Sequence, residues 1–288
     1  MKAIFERELK SYFTSMIAPL FIAVMTCIMG IYFMAYNMNY GYPYFSYSLS
    51  AILFIFTFSI PILTMRSMSE ERRQKTDQLL LTSPISVTQM VMGKYLAMVA
   101  VLAIPCLIFC LCPLIIDSTG TAYLAVDYSS ILAFFLTGCV YIAIGMLISS
   151  MTESIILAAV GSIGALIFLN FLVSLASFMP SAAFPSLIGC IVILTIAVII
   201  IHIFGKNAIV SGTIEMAGIA VMTVIYLINP DLYENCIPQL MEQLAVTEVF
   251  YQFSSEYIFD IAGIVKLLSA AGVCVFLTVQ TVQKRRWS

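Results

Sequence analysis

Side chains able to do chemistry are few in this chain, so the first question is which of them could act together. His202 is the only histidine, which rules out a paired zinc motif such as H-E-x-x-H and leaves any His-based triad dependent on this one residue. It sits near the end of an apolar run beside Lys206, where an interface position accounts for it and a proton or metal role is the sharper alternative. Glu215 follows Gly212 and Thr213, placed either to meet His202 or Lys206 across a hairpin or to stay solvated at the interface; Glu153 reads the same way. Cys106, Cys110 and Cys112 have the softness that suits copper(I). Only the first two share a helix face, and free Cys and Met are ordinary packing residues. Nucleotide hydrolysis is not encoded, because neither Gly93-Lys94 nor Gly205-Lys206 has the upstream glycine or the following Ser or Thr of G-x-x-x-x-G-K-[ST]. The remaining concentration of charge runs from Glu70 to Asp77.

The elements that must position these groups follow from composition. At 62% hydrophobic and 10% charged over 288 residues, with a mean hydropathy of +1.05, the chain has more apolar surface than a soluble domain of its length can bury. Lipid cannot hydrogen-bond an open backbone, so apolar runs longer than about 18 residues read as membrane helices. Such runs lie near 17 to 36, 46 to 65, 95 to 116, 129 to 151, 155 to 178, 183 to 204, 207 to 229 and 261 to 282. Eight spans put both termini on one side. Lys2, Arg7, Lys10, Arg66, Arg72, Arg73, Lys75, Lys94, Lys206, Lys284, Arg285 and Arg286 then share that side, which the positive-inside rule makes cytoplasmic; only Lys266 is out of place. Asp117, Asp127, Asp231, Glu234, Glu242, Glu248, Glu256 and Asp260 gather opposite. No basic patch interleaved with aromatics suggests a nucleic acid. The first apolar run is too long, and lacks the small-residue site, for a cleavable signal peptide. Of the eight cysteines most fall inside spans, Cys236 alone reads as extracytoplasmic, and no disulfide framework follows.

Residues 1–15 read as an amphipathic interfacial helix, with Phe5, Leu9, Tyr12 and Phe13 at helical spacing and Lys2, Glu6 and Lys10 in an i, i+4 row. Residues 37 to 45 read as a tyrosine-rich external turn. Residues 66–94 form the one sizeable cytoplasmic loop, holding five of the thirteen basic residues. Its charges precede Leu79 to Leu81 and Pro84, which predicts a short exposed helix; a solvated connector that only enforces topology is the bland alternative. The segment 229–260 is the largest external piece, where Ile237, Leu240, Met241, Leu244 and Glu248 to Tyr251 form an amphipathic pattern that lies on the outer leaflet or dips back into the protein. Residues 178 to 230 read as a tight hairpin or a partly re-entrant segment. Gly138, Gly145, Gly161, Ser162 and Gly164 offer small surfaces for close helix approach. With no internal repeat, residues 1–288 read as a single membrane domain.

The loop Glu70-Glu71-Arg72-Arg73-Gln74-Lys75-Thr76-Asp77-Gln78-Leu79-Leu80-Leu81-Thr82-Ser83-Pro84, with Met92-Gly93-Lys94-Tyr95-Leu96, closely resembles the E-E-(K/R)-R-x-G-T-x-E-L-L-L-T-x-P…G-K-(F/Y)-L signature of ABC-2 type permeases. The branch it matches is that of gliding-motility and nitrous-oxide-reductase-maturation transporters. Arg7 to Phe13 is similar to that branch's R-E-(F/L)-K-S-Y-F start, and Phe276 to Gln280 with Lys284 to Trp287 to its F-L-T-x-(R/Q)…K-R-R-W ending. Lys75 stands for the usual Gly, Gln78 for Glu, and Met16 for a common Pro. The branch usually has six spans, so residues 183 to 229 look like an inserted hairpin.

The resemblance implies an all-α polytopic ABC-2 transmembrane domain of the type V exporter kind, a permease subunit moved by a separate ATP-binding subunit that holds ATP and Mg. The chain itself would carry no cofactor and would not be an enzyme. Glu70, Glu71, Arg72, Arg73, Thr76, Asp77 and Leu80 would couple to that subunit, and the helix carrying Phe5, Leu9, Tyr12 and Phe13 would lean on the coupling helix. A second copy or a homologous permease and membrane lipid would be the other partners, in a bacterial cell membrane. The cargo expected is a peptide, lipid or hydrophobic small molecule. An ATP-independent carrier should show broken helices around a midplane site, a membrane enzyme paired polar groups within the spans, and a scaffold or channel subunit neither.

Overall fold

Apolar runs of membrane length become helices, and no strand occurs among the described residues. The computed structural model describes residues 1–74, 86–179, 181–205, 208–254 and 259–286. Two compact units divide the chain, one of Met1–Asn170 with Val246–Ser288 and one of Phe171–Ala245.

The first unit opens with α1 (Lys2–Thr14), followed by α2 (Ile17–Phe33), which runs on into a π-helical turn, Met34–Asn39. Helix α3 (Ser46–Thr64) leads to the short α4 (Ser69–Arg73). Helix α5 (Val87–Phe109) starts on the Ser86 hydroxyl, which accepts from Gln89 N. It stops where Pro113, which cannot donate to the ladder, enters α6 (Cys112–Thr119). Then come α7 (Leu124–Met151) and α8 (Ile155–Phe178), whose last residues belong to the second unit. After the second unit, α12 (Val246–Ser254) and α13 (Ile261–Arg286) complete the bundle. Helix α7 is its axis, packed against α3, α5, α12 and α13. Its Phe134 ring stacks on Phe56 at 4.4 Å and meets Phe109 and Phe250 edge-on at 6.2 and 6.1 Å. Close approach depends on two glycines: a Cβ on Gly138 would meet Leu102 and Phe56 at 2.6 and 2.7 Å, and one on Gly145 would meet the Thr64 hydroxyl at 2.2 Å. The small-residue surface expected of α7 is therefore real. Gly164, by contrast, faces open space.

The second unit holds α9 (Ala183–Gly205), α10 (Ala208–Ile228), a 3-10 turn at Pro230–Tyr233 and α11 (Cys236–Leu244). Leu187, Cys190, Tyr233 and Ile237 form its buried cluster. Six helices among the described residues are long and apolar enough to cross a membrane. Two shorter apolar stretches, Ala183–Thr195 and Glu215–Ile228, occupy α9 and α10, where the sixth and seventh spans of the sequence count would have to lie.

The segment 229–260 contains two short helices that differ in burial. Helix α11 buries Ile237 and leaves Leu240 and Leu244 exposed, whereas α12 dips into the first unit and buries Val246, Val249, Phe250 and Phe253. The tyrosine-rich turn is more ordered than its composition suggests. Asn37 is buried, donating to Tyr42 O and Tyr44 O at 2.9 and 3.0 Å and accepting from Ser48 at 2.7 Å. Asp127, expected on the outer face for topology alone, is fully buried; its Oδ1 accepts from Phe45 N at 2.8 Å, tying α7 to the start of α3.

Candidate functional site: a closed ion-pair ring beneath the charged turn

Helix α1 presents Ile4, Glu8 and Tyr12, spaced i, i+4, toward α5 and α2. Ile4 lies against Gly93, where a Cβ would come within 3.0 Å of Ile4 Cγ2, so the glycine is what lets α1 sit flush on α5. Phe5 and Leu9 are half-buried beside this stripe, and Phe13 is exposed. The expected row of Lys2 and Glu6 is present at 3.8 Å, but with side chains 90% and 63% exposed it contributes little.

A carboxylate in the middle of an apolar stripe needs a cation, and Glu8 finds Lys94. The sequence reading placed Lys94 in the cytoplasmic loop with the third span beginning after it. In the structure α5 instead begins at Val87, and Lys94 lies within the helix at 2% exposure. Its ammonium donates to Ser67 O at 2.8 Å and pairs with Glu71 Oε1 at 2.8 Å and Glu8 Oε1 at 3.5 Å. One hydrogen bond and two ion pairs thus surround the ammonium, and a buried charge requires such pairing. Arg7 closes the circuit, donating to Glu8 Oε1 at 2.6 Å and Glu71 Oε1 at 3.2 Å. Two cations and two anions alternate around a ring that joins α1, α4 and α5. The hydrogen bond to Glu8, with the charges of Glu8 and Glu71, holds the Arg7 guanidinium above its ordinary pKa against the opposing effect of burial. Burial first, and then the negative charge of Glu8, Glu71 and Glu70, pushes the Tyr12 phenol up, so it remains neutral.

The turn carrying α4 is held from a second side by α7. Ser149 Oγ accepts from both Met68 N and Ser69 N at 3.2 Å and donates to Met65 O at 3.1 Å, capping the start of α4 with a residue 80 positions away. Arg72 donates to Ser150 O at 3.2 Å and pairs with Glu153 at 2.9 Å. Arg66 forks onto Glu70 at 2.9 and 3.0 Å. A cavity of about 480 Å³ opens between these groups, lined among others by Tyr12, Ser15, Glu70, Gln74 and Lys94.

The residues expected to face an ATPase therefore have different orientations. Glu71 is directed inward to the ring, Arg72 is held by the α7–α8 turn, Glu70 is paired with Arg66, and Arg73 is exposed. Thr76, Asp77 and Leu80, and the rest of the expected helix beyond Arg73, lie outside the described residues. Sequence reasoning missed Glu8, Lys94, Ser149 and Glu153 as partners of the turn. One signal was available, since Glu8 interrupts the Ile4 and Tyr12 face. Among the described residues no three His, Cys, Asp or Glu side chains stand together as a metal-binding set, and Cys106 is buried within α5; Lys206 and the side chain of His202, considered as partners of Glu215, lie outside what is described.

A search of curated proteins returned no match. The family model described as ABC-2 family transporter protein matches residues 2–187, more than half of the chain and all of the ion-pair ring, so the chain belongs to the ABC-2 family and is a multi-pass membrane permease component of an ABC transporter.

Proposed function

We propose that this permease is the membrane half of an exporter, driven by a separate ATP-binding subunit that docks on the turn at Ser69–Arg73 and the chain that follows it. The observation that carries this reading is the Lys94 ring. A protein bound to the exposed side of α4 cannot tilt it without moving Glu71, and Glu71 is bonded to groups on α1 and α5. The ring is a rigid coupling between a cytoplasmic handle and two helices, and Ser149 extends it to α7. Closure of the partner around ATP and Mg would push the handle, and the bundle would switch between inward and outward access.

In this reading both termini and the charged turn are cytoplasmic, the chain sits in a bacterial cell membrane with eight spans, and it works with a second copy or a homologous permease. The cargo class is a peptide, lipid or hydrophobic small molecule. Exposed Phe13 on α1 rests in the lipid interface.

The test is co-expression with the ATP-binding subunit encoded beside it, pull-down in detergent, and ATPase assay in lipid discs. Glu70→Lys with Arg73→Glu should abolish co-purification while the unfolding temperature stays close to that of the parent. Arg7→Met should leave the complex intact and uncouple its ATPase activity from transport. Undiminished assembly of the reversed variant would remove the docking role from this turn.

A further inference from the structure

In the second unit, Cys190 and Cys236 are both free thiols, and their sulfurs are 3.8 Å apart across 46 residues of sequence. A disulfide needs about 2.05 Å, so they stand at van der Waals contact, one small rotation from a bond. Their meeting is built by the neighbours of each. Gly189, beside Cys190, leaves the space into which Ile237, beside Cys236, inserts; a Cβ there would lie 2.0 Å from Ile237 Cδ1. Asn235 adopts a left-handed φ of 58° and donates its N–H to Ser181 O at 3.0 Å, which fixes the start of α11 next to the start of α9. Tyr233, on the 3-10 turn, donates to Met222 O of α10 at 2.9 Å and closes the same cluster. The cysteines thus face each other in a designed pocket rather than by chance in a mobile loop.

We infer that Cys190 and Cys236 form a disulfide that staples α11 to α9 on the outer side of the membrane. The inference rests on the proposed topology, in which 229–260 and the start of α9 are extracytoplasmic, because oxidising compartments are where such bonds persist. The oxidant is a protein disulfide of that compartment. The Cys236 thiolate, partly exposed in the first turn of α11, attacks it, forms a mixed disulfide and releases one thiol. The Cys190 thiolate then attacks Cys236 Sγ and releases the second. Two thiols of this chain lose two protons and two electrons, and the oxidant disulfide becomes a dithiol. Oxidised, the bond clamps the cap over the α9–α10 hairpin; reduced, the cap is held by non-covalent contacts such as those of Ile237 and Tyr233 and the Asn235–Ser181 hydrogen bond.

The experiment labels intact cells with a membrane-impermeant maleimide, with and without prior treatment with an impermeant phosphine reductant, and reads Cys236 by peptide mass. Labelling that appears only after reduction, together with a Cys190–Cys236 cross-linked peptide in the untreated sample, is the expected result. In Cys190→Ser, Cys236 should label without reductant; continued protection would overturn the inference, since a bond to Cys190 would not be its cause. Labelling of the parent chain without reduction would also overturn it while leaving the topology intact. Labelling only after permeabilisation would place 229–260 on the other side and remove both.

Discussion

Lys94 shows how a single buried charge can be worth more to a fold than a row of exposed ones. Its ammonium donates to Ser67 O and pairs with Glu71 and Glu8, so its removal leaves two inward carboxylates short of a buried cation. Lys94→Met should therefore destabilise the chain by about 3–5 kcal/mol, read as a lower unfolding temperature in detergent, whereas Lys2→Met, at the exposed pair, should change it by under about 0.5 kcal/mol. Asp127 poses a related question. One oxygen holds Phe45 N, and the other has no hydrogen-bond partner among the described residues. Asp127→Asn keeps an acceptor for that amide and should be tolerated, while Asp127→Ala should cost about 1–3 kcal/mol and increase hydrogen exchange at the start of α3. Met16, which stands where the resembled branch commonly has Pro, has φ 61°. A proline ring locks φ near −65° and cannot make this corner. Met16→Gly should be accepted without loss of assembly, and Met16→Pro should displace α1, measured as protease cleavage between α1 and α2.

Between elements, shape complementarity is carried by α7. Gly145→Ala places a methyl against the Thr64 side chain, with Cβ at 2.9 Å and the hydroxyl nearer still. The contact is with atoms close to the α3 backbone, so it cannot be relieved by swinging a flexible tip. An overpacking cost of about 1–3 kcal/mol follows. The double variant Gly145→Ala with Thr64→Ala should recover part of it, and a thermal double-mutant cycle should show coupling. Gly164→Ala, in open space, should show none. Apolar length made α3, α8 and α13 legible as long runs, and the helical spacing of Phe5, Leu9, Tyr12 and Phe13 made α1 legible. Apolar length was less successful at α5, where the Lys94 charge looked like the edge of a span. Burial of that charge lets the helix begin at Val87 instead.

For the molecule as a whole, six and eight spans share one property: either even number puts both ends of the chain on the same side. What differs is the turn between α9 and α10. In the eight-span reading this turn is cytoplasmic, so a cysteine introduced at Lys206 should be labelled by an impermeant maleimide only after permeabilisation. Labelling on intact cells would leave six crossings and make α9 and α10 an outer or re-entrant hairpin. The family match ends at residue 187, just inside α9, so the second unit beyond it and the similar-looking C-terminal stretch from Phe276 to Trp287 fall outside what that match covers. The charged ring lies wholly within it.

The sequence by itself determined that this chain lives in a membrane and that its backbone must be helical there, because hydrophobic length and backbone hydrogen bonding are local properties of the chain. It also singled out the 70–77 charges, through their density and their similarity to a known signature. Only the tertiary structure decided which charge meets which. Arg7 and Glu71 are 64 residues apart, Phe45 and Asp127 82, and Cys190 and Cys236 46. No periodicity encodes such partners. They are selected when glycines allow two helices to touch, and the cost of burying an unpaired polar group then requires that the facing side chain complement it.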